Sequence, residues 1–202
     1  PVRKDILHLE GKRPEAMAHY GLDPAKKTIA VIGGSLGARS LNEAIRDNTA
    51  VFNANPNIQV LWQCGKFYEL EYAHCDTAQL KQVHMSAFID RMDLLYAAAD
   101  VIISRAGALS ISELCLVGKP VVLVPSPNVA EDHQTKNAIA LVENGAARLV
   151  RDGDATEKML EDALLILSND ALAFGLGESI RQLGRPNAAG AIANEVLKHI
   201  KT

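Results

Sequence analysis

Short apolar runs alternate with longer amphipathic stretches along most of the chain. Six runs rich in β-branched residues predict buried strands, at residues 27–32, 58–62, 82–85, 100–104, 120–124 and 147–150. Helical periodicity falls between them, clearest at 38–51, 109–117 and 131–143. Gly118 and Gly145 stand where helices end, and Pro120 then favours extended chain. This alternation predicts βαβ units and an α/β fold, a doubly wound six-stranded parallel sheet of the Rossmann-like kind.

The chain ends lie outside the predicted sheet. The predicted organisation is a linker with a short helix (1–26), a Rossmann-like domain (27–168) and C-terminal helices (169–202). Residues 156–202 predict two or three helices, and we expect breaks at Gly175, Gly177 and the turn at 184–186.

Composition narrows the function classes. Aromatic residues make up 4% of the chain and the formal net charge is -3, so neither a base-stacking surface nor a basic patch for a polyanion is indicated. No apolar run approaches the ~20 residues that cross a bilayer, and no signal peptide opens the chain. Three cysteines without a Cys-x-x-Cys pair predict reduced thiols in the cytoplasm.

Two loops are predicted to meet at the ligand site. If the strand order is the common 3-2-1-4-5-6, the order reverses between the first and fourth strands, and ligands bind beyond the carboxyl ends there. The loops concerned are 33–38 and 105–110, both rich in small residues that allow a ligand to approach the backbone.

Gly33, Gly34 and Gly37 belong to a loop that follows a strand and opens a helix. Amides at a helix start favour a phosphate there, although a tight turn could need glycine for steric reasons alone. Ser35 replaces the glycine of the dinucleotide fingerprint, and Arg39 stands where a Walker loop needs Ser or Thr. The sequence therefore predicts a phosphate loop of neither common type.

Ser110 and Glu113 have the spacing of a capping box, which would satisfy the first amides of a helix. The alternative is that Glu113 accepts hydrogen bonds from ribose hydroxyls, as a carboxylate near a nucleotide often does. The spacing alone leaves both open.

A cluster of polar side chains follows the fifth strand. On a helix, His133 and Asn137 share a face and Gln134 lies one position round, which suits recognition of sugar hydroxyls. A solvated first helical turn would explain Glu131 and Asp132 equally well, but not the density of amides.

Asp152 and Asp154 look like the Asp-x-Asp metal motif of some glycosyltransferases. Turn chemistry explains them without a metal, and no histidines have zinc-ligand spacing. We therefore predict no metal site.

Four motifs together resemble one family. They are GGSLGARSLN (33–42), FIDRM (88–92), SRAGALSISE (104–113) and PSPNVAEDHQTKNA (125–138). In this order they resemble the UDP-N-acetylglucosamine:N-acetylmuramyl-(pentapeptide) pyrophosphoryl-undecaprenol N-acetylglucosamine transferases, over nearly the whole chain. The resemblance implies the C-terminal, donor-binding half of a GT-B enzyme. Residues 1–26 would then include a hinge, residues 27–168 would bind the nucleotide sugar, and the helices of residues 169–202 would pack on or toward an N-terminal domain.

The resemblance also implies site residues. Arg3 and Ser35 would contact the donor, Ser35 at the diphosphate, and Ile89 would meet uracil through its backbone. Gln134 would bind the N-acetylglucosamine hydroxyls, and Arg105, His133 and Asn137 are further candidates, His133 standing where some members carry a second glutamine. The stretch implied to line the nucleotide, with Glu113 on the ribose, is Ala108, Leu109, Ser110, Ile111, Ser112 and Glu113.

The implied reaction is inverting transfer from UDP-N-acetylglucosamine to the C4 hydroxyl of a lipid-linked muramyl-pentapeptide, giving lipid II at the cytoplasmic face of the bacterial inner membrane. No cofactor, metal or nucleic acid is implied. The catalytic base, the acceptor site and the membrane contact would belong to a further domain, so we expect no catalytic residue here and no transfer by this chain alone.

Two other interpretations stay open on the sequence. The chain could come from another GT-B enzyme using a UDP-sugar, such as a glycolipid galactosyltransferase or a UDP-sugar epimerase. It could also be a non-catalytic nucleotide-binding module.

Overall fold

The computed structural model describes residues 2–200, so Pro1, Lys201 and Thr202 of the predicted end segments lie outside the described residues. The strands are β1 (Lys27–Ile32), β2 (Ile58–Gln63), β3 (Val83–Ser86), β4 (Val101–Ser104), β5 (Val121–Leu123) and β6 (Arg148–Leu149). The α-helices in that range are α1 (Arg13–Tyr20), α2 (Arg39–Arg46), α3 (Thr49–Ala54), α4 (Glu69–Tyr72), α5 (Met92–Ala98), α6 (Ala108–Val117), α7 (His133–Glu143), α8 (Ala155–Leu167), α9 (Asp170–Gln182) and α10 (Ala188–Ile200).

All six strands form one parallel sheet in the order β3-β2-β1-β4-β5-β6. This confirms the α/β fold class and the predicted strand order. Ile29 of β1 lies opposite Val60 of β2 on one side and Val101 of β4 on the other. The order reverses at β1 and β4, so the carboxyl ends of these strands open onto a crevice between their loops.

Helices cover both faces of the sheet. Alternate residues of β1 serve opposite sides: Ala30 and Ile32 join the apolar cluster under α1, α5 and α6, whereas Ile29 and Val31 join the one under α2 and α8. Because both faces are covered, β1 beyond Lys27 and all of β2 are buried without alternation between buried and exposed positions.

The helix predicted over 38–51 is two helices, and the prediction of one was wrong. Asn48 lies between α2 and α3, where its side-chain amide donates to the carbonyls of Ala44 (2.7 Å) and Thr156 (2.8 Å). The first contact occupies a carbonyl of the last turn of α2, and the second ties the break to α8.

Gly175 and Gly177 do not break a helix as predicted, since both lie within α9. A Cβ on Gly177 would lie 3.1 Å from the Gly118 carbonyl oxygen, so this glycine allows α9 to pack closely on the end of α6. The division of the chain at residues 26 and 168 stays a prediction.

The helix predicted over 131–143 begins at His133. Glu131 and Asp132 precede it with φ of 54° and 52°, in the left-handed region. Residues other than glycine rarely adopt this backbone conformation, and those that do tend to lie beside functional sites.

Candidate functional site

Loops from the carboxyl ends of β1, β4 and β5 enclose a cavity of about 670 Å³. Its lining residues are Gly33, Gly34, Gly37, Ala38, Arg39, Ser40, Glu43, Tyr68, Arg105, Gly107, Ser110, Ser126, Asn128, Gln134 and Asp152. The cavity lies at the switch point, where the two loops of small residues were predicted to meet.

The glycine loop (residues 33–38) forms one wall of this cavity, and its glycines are required for different reasons. Gly34 has φ of 82° and open space where a Cβ would stand. Gly37 has φ of 86°, and a Cβ there would lie 2.2 Å from the Cys64 carbonyl oxygen. Steric packing therefore explains Gly37, and the open face at Gly34 is the place where a ligand can approach the backbone.

Helix α2 begins directly after this loop, with Arg39 as its first residue. Ala38 precedes α2 and supplies no side-chain cap, so the first amides of the helix face the cavity side without a side-chain acceptor from that residue. Ser35 is exposed and lies outside the cavity lining, between Gly34 and Gly37.

Arg105 follows β4 and is held by the segments that follow β5 and β6 and by the first turn of α2. Its Nη1 donates to the Val124 carbonyl (2.9 Å) and to the Asp152 carboxylate, and its Nη2 donates to Ser40 Oγ (2.9 Å). Ser40 Oγ donates in turn to Asp152 Oδ1 at 2.5 Å. The guanidinium is thereby fixed in the wall of the cavity.

Gln134, at the start of α7, joins the loops that follow β4 and β5. Its Oε1 accepts from the amides of Ser126 (2.9 Å) and Ala106 (3.2 Å). The donor end, Nε2, is left without a hydrogen-bond partner among residues 2–200. Asn137, one helical turn on, donates to the Ala106 carbonyl at 3.1 Å and so supports the loop from behind.

Glu113 does not form the capping box with Ser110. The residue before α6 is Gly107, and both Ser110 and Glu113 lie inside the helix. The Glu113 carboxylate is 5% exposed and accepts from Arg3 Nε (3.0 Å) and from the Tyr96 hydroxyl (3.1 Å). Burial and the neighbouring Glu113 raise the pKa of Tyr96, so its hydroxyl stays protonated and donates.

Ile89 lines a separate cavity of about 290 Å³ beyond the carboxyl end of β3. Tyr20, His84 and Phe88 are among its other lining residues. Burial lowers the pKa of His84, which favours the neutral imidazole. Its lining combines apolar side chains such as Phe88 with polar ones such as His84.

The remaining predicted residues are spread over α6 and the start of α7. Ala108 and Leu109 are exposed, Ile111 packs on the apolar cluster beneath α6, and Ser112 Oγ donates to the Ala108 carbonyl. None of these four lines the 670 Å³ cavity, and neither does His133, which opens α7.

Sequence reasoning missed several of the cavity-lining side chains. They include Ser40, Glu43, Tyr68, Ser126 and Asn128. The sequence did contain a signal for Ser40 and Glu43. Ser40 follows closely after the glycine loop, and residues three apart in a helix lie on the same face. Tyr68 enters from the loop after β2, where only tertiary contact with Gly37 brings it in.

Within residues 2–200, no three His, Cys, Asp or Glu side chains are placed to hold a metal ion. The three cysteines are free thiols, and burial raises the pKa of Cys64 to about 11.

Comparison with known proteins identifies the family. The profile of the glycosyltransferase family 28 C-terminal domain matches residues 28–187. The chain belongs to this family.

A relative from Parabacteroides distasonis, named UDP-N-acetylglucosamine--N-acetylmuramyl-(pentapeptide) pyrophosphoryl-undecaprenol N-acetylglucosamine transferase, is 49% identical over 99% of this chain and 54% of its own length. The resemblance drawn from the four motifs is therefore confirmed. The chain spans about half the length of the curated relatives that it matches.

Solved structures agree with this family 28 assignment. The crystal structure of Acinetobacter baumannii MurG has a TM-score of 0.73 and 30% identity, covering 96% of this chain and 55% of that one. A UDP-GlcNAc 2-epimerase from Neisseria meningitidis, bound to UDP-GlcNAc, has a TM-score of 0.63 at 16% identity over 92% of this chain and 48% of its own, a likeness of fold alone. The predicted GT-B-like fold is confirmed.

No single helix among residues 2–200 is long and apolar enough to cross a membrane. The adjoining segments Asp152–Leu167 and Asp170–Gln182 pass that test of length and composition only when taken together, and they are bent by 101°.

Proposed function

We propose that this chain is the donor-binding domain of an enzyme that transfers N-acetylglucosamine from its UDP derivative to a lipid-linked muramyl-pentapeptide. The observation that carries the proposal is the cavity at the switch point, in a chain 49% identical to a transferase with that name. Such a crevice beyond the carboxyl ends of parallel strands is where this kind of fold binds nucleotides.

The donor is assigned to the site in three parts. The uracil goes to the cavity beside Ile89, and the ribose goes to the carboxylate of Glu113. The diphosphate goes to the open face at Gly34 and the first amides of α2, where the helix dipole favours negative charge. Arg105 adds a fixed cation at the same wall.

We place the N-acetylglucosamine between the loops that follow β4 and β5. Gln134 Nε2 is the donor available to a sugar hydroxyl there, because its Oε1 is already used by two backbone amides. Ser126 and Asn128 line the same part of the cavity.

Transfer to an alcohol releases UDP, whose negative charge grows as the glycosidic bond breaks. Donors already aimed at the diphosphate stabilise that charge without reorganising. This half supplies the amides of α2 and the guanidinium of Arg105. We assign the catalytic base, the binding of the lipid-linked acceptor and the contact with the cytoplasmic face of the membrane to the rest of the protein. We also propose that α10 packs against that remaining part through three side chains that are about half exposed here, Ile192, Val196 and Leu197.

Calorimetric titration of the chain with UDP, UDP-N-acetylglucosamine and UDP-galactose tests the proposal. We expect UDP to bind, the N-acetylglucosamine donor to bind at least as well, and the galactose donor to bind more weakly. Gln134→Ala is expected to weaken only the sugar-bearing ligand, by about three- to tenfold, the worth of one neutral hydrogen bond.

Asn137→Ala is the matched control, since it loosens the Ala106 loop without removing an amide from the cavity. Equal weakening of UDP and its sugar derivative by Gln134→Ala would place Gln134 away from the sugar. Preference for UDP-galactose would favour a glycolipid galactosyltransferase, and failure to bind UDP would exclude the proposed function.

A further inference from the structure

Asp152 belongs to the Asp-Gly-Asp sequence that first suggested a metal motif, and the structure gives it a different set of neighbours. Its Oδ1 accepts from Arg105 and from Ser40 Oγ. These three side chains come from the loops after β6 and β4 and from the first turn of α2, so Asp152 ties together the ends of three elements around the cavity.

The second acid of the motif points elsewhere. Asp154 Oδ2 lies 3.6 Å from Lys158 Nζ, one turn along α8, and Asp154 is absent from the cavity lining. The two carboxylates therefore do not converge on one point, as a shared metal ion would require.

Arg105 keeps donors for a ligand after its protein contacts are made. A guanidinium has five N–H groups. Two on Nη1 and one on Nη2 are used by Val124, Asp152 and Ser40, which leaves the Nε–H and one Nη2–H without a partner among residues 2–200. The Arg105 side chain is 16% exposed and lines the cavity.

We propose that Asp152 is a positioning residue for the diphosphate of the donor: it holds Arg105 so that the two remaining N–H groups face the phosphate oxygens. This inference rests on the proposed function. A guanidinium fixed before the ligand arrives loses little side-chain freedom on binding, whereas a free one must be ordered at that moment. Asp152 thus acts through Arg105 and does not touch the donor.

Asp152 has two opposing effects on UDP affinity. Whether its substitution weakens or tightens UDP binding depends on which effect is larger. The carboxylate repels a diphosphate directly, so its removal by itself would tighten UDP binding. Removal also releases Arg105, which would weaken UDP binding. The positioning role requires that the second effect prevails.

The experiment is calorimetric titration of UDP and of uridine into the full chain and its variants. We expect Asp152→Asn to weaken UDP binding about threefold and to leave uridine unchanged, because the cost of ordering one long side chain, about tenfold at its upper end, is partly offset by the lost repulsion. Asp152→Glu, which keeps the charge, should retain most of the affinity, and Asp154→Asn should match the unsubstituted chain. Unchanged or tighter UDP binding by Asp152→Asn would overturn the inference.

A double-substitution cycle shows whether Asp152 works through Arg105. In the Arg105→Ala background, we expect Asp152→Asn to tighten UDP binding slightly, because only the direct repulsion by the carboxylate is then left to remove. A loss of UDP affinity there as large as in the unsubstituted background, or a UDP affinity that depends on Mg²⁺ only while Asp152 is present, would overturn the positioning role. Absence of UDP binding by the unsubstituted chain would overturn the proposed function and this inference with it, whereas normal UDP binding by Asp152→Asn overturns the inference alone.

Discussion

The carboxylate of Glu113 is shared between two side chains that are distant in sequence. Arg3 approaches from the start of the chain and Tyr96 from α5, and each takes one oxygen. Each oxygen keeps a lone pair for a further donor. A buried, oriented carboxylate of this kind is suited to accepting from two neighbouring hydroxyl groups, as on a ribose.

Glu113→Gln is expected to weaken UDP binding about tenfold or more, since charge-assisted hydrogen bonds contribute about 1.5–3 kcal/mol. Its melting temperature should fall by only a few degrees, because Arg3 is 42% exposed and water can solvate its charge. Calorimetry with UDP and 2′-deoxy-UDP measures the ribose contribution directly. Glu143→Gln, the same substitution at an exposed position of α7, is the control. Unchanged UDP affinity together with a collapse of stability would assign Glu113 to folding instead.

The chemistry at single residues was only partly predictable from sequence. The types of side chain at Gln134 and Glu113 indicated sugar and ribose contacts, and those contacts stay predictions. Their protein partners could not be foreseen, because Ala106, Ser126 and Tyr96 reach them through the tertiary fold. The spacing of Ser110 and Glu113 suggested a cap, but the helix begins two residues before Ser110.

At the scale of elements, the glycine loop after β1 packs against the loop after β2. A Cβ on Gly65 would lie 2.2 Å from Gly37 Cα, and one on Gly37 would lie 2.6 Å from Tyr68 Cδ2. Because both residues are glycines, the backbones of the two loops can touch. This contact lies directly before the first turn of α2.

Gly34→Ala and Gly37→Ala should differ in stability. Both residues have positive φ, so each substitution should cost roughly 1–2 kcal/mol for the left-handed conformation. Gly37→Ala also forces a Cβ into the Cys64 carbonyl, adding about 1–3 kcal/mol or more. Urea denaturation of the two variants measures the difference in the free energy of unfolding, and equal losses would mean that the loops are not in this contact.

Element types followed from the sequence more reliably than their limits. The central strands were predictable because both faces of the sheet are buried there, so that β4 and β5 are short runs of buried, mostly apolar residues. The break at Asn48 was missed because it depends on the Thr156 carbonyl, 108 residues away in sequence. Gly177 suggested a break, but it permits close packing of α9 on Gly118.

At the scale of the whole molecule, one feature of topology determines the site. Strands β2 and β3 lie on one side of β1, and β4, β5 and β6 lie on the other. The loops after β1 and β4 therefore lead to opposite faces of the sheet and leave a crevice between them. Gln134 and Asp152 come from later elements and line the same crevice, which accounts for a polar cavity assembled from five separate stretches of sequence.

A structure of the chain with bound UDP-N-acetylglucosamine tests this account most directly. The account predicts the uracil beside Ile89, the ribose hydroxyls on Glu113, and the diphosphate between Gly34 and Arg105 in the 670 Å³ cavity. The N-acetylglucosamine should lie within hydrogen-bonding distance of Gln134 Nε2. A nucleotide bound away from the carboxyl ends of β1 and β4, or a sugar that does not reach Gln134, would contradict it.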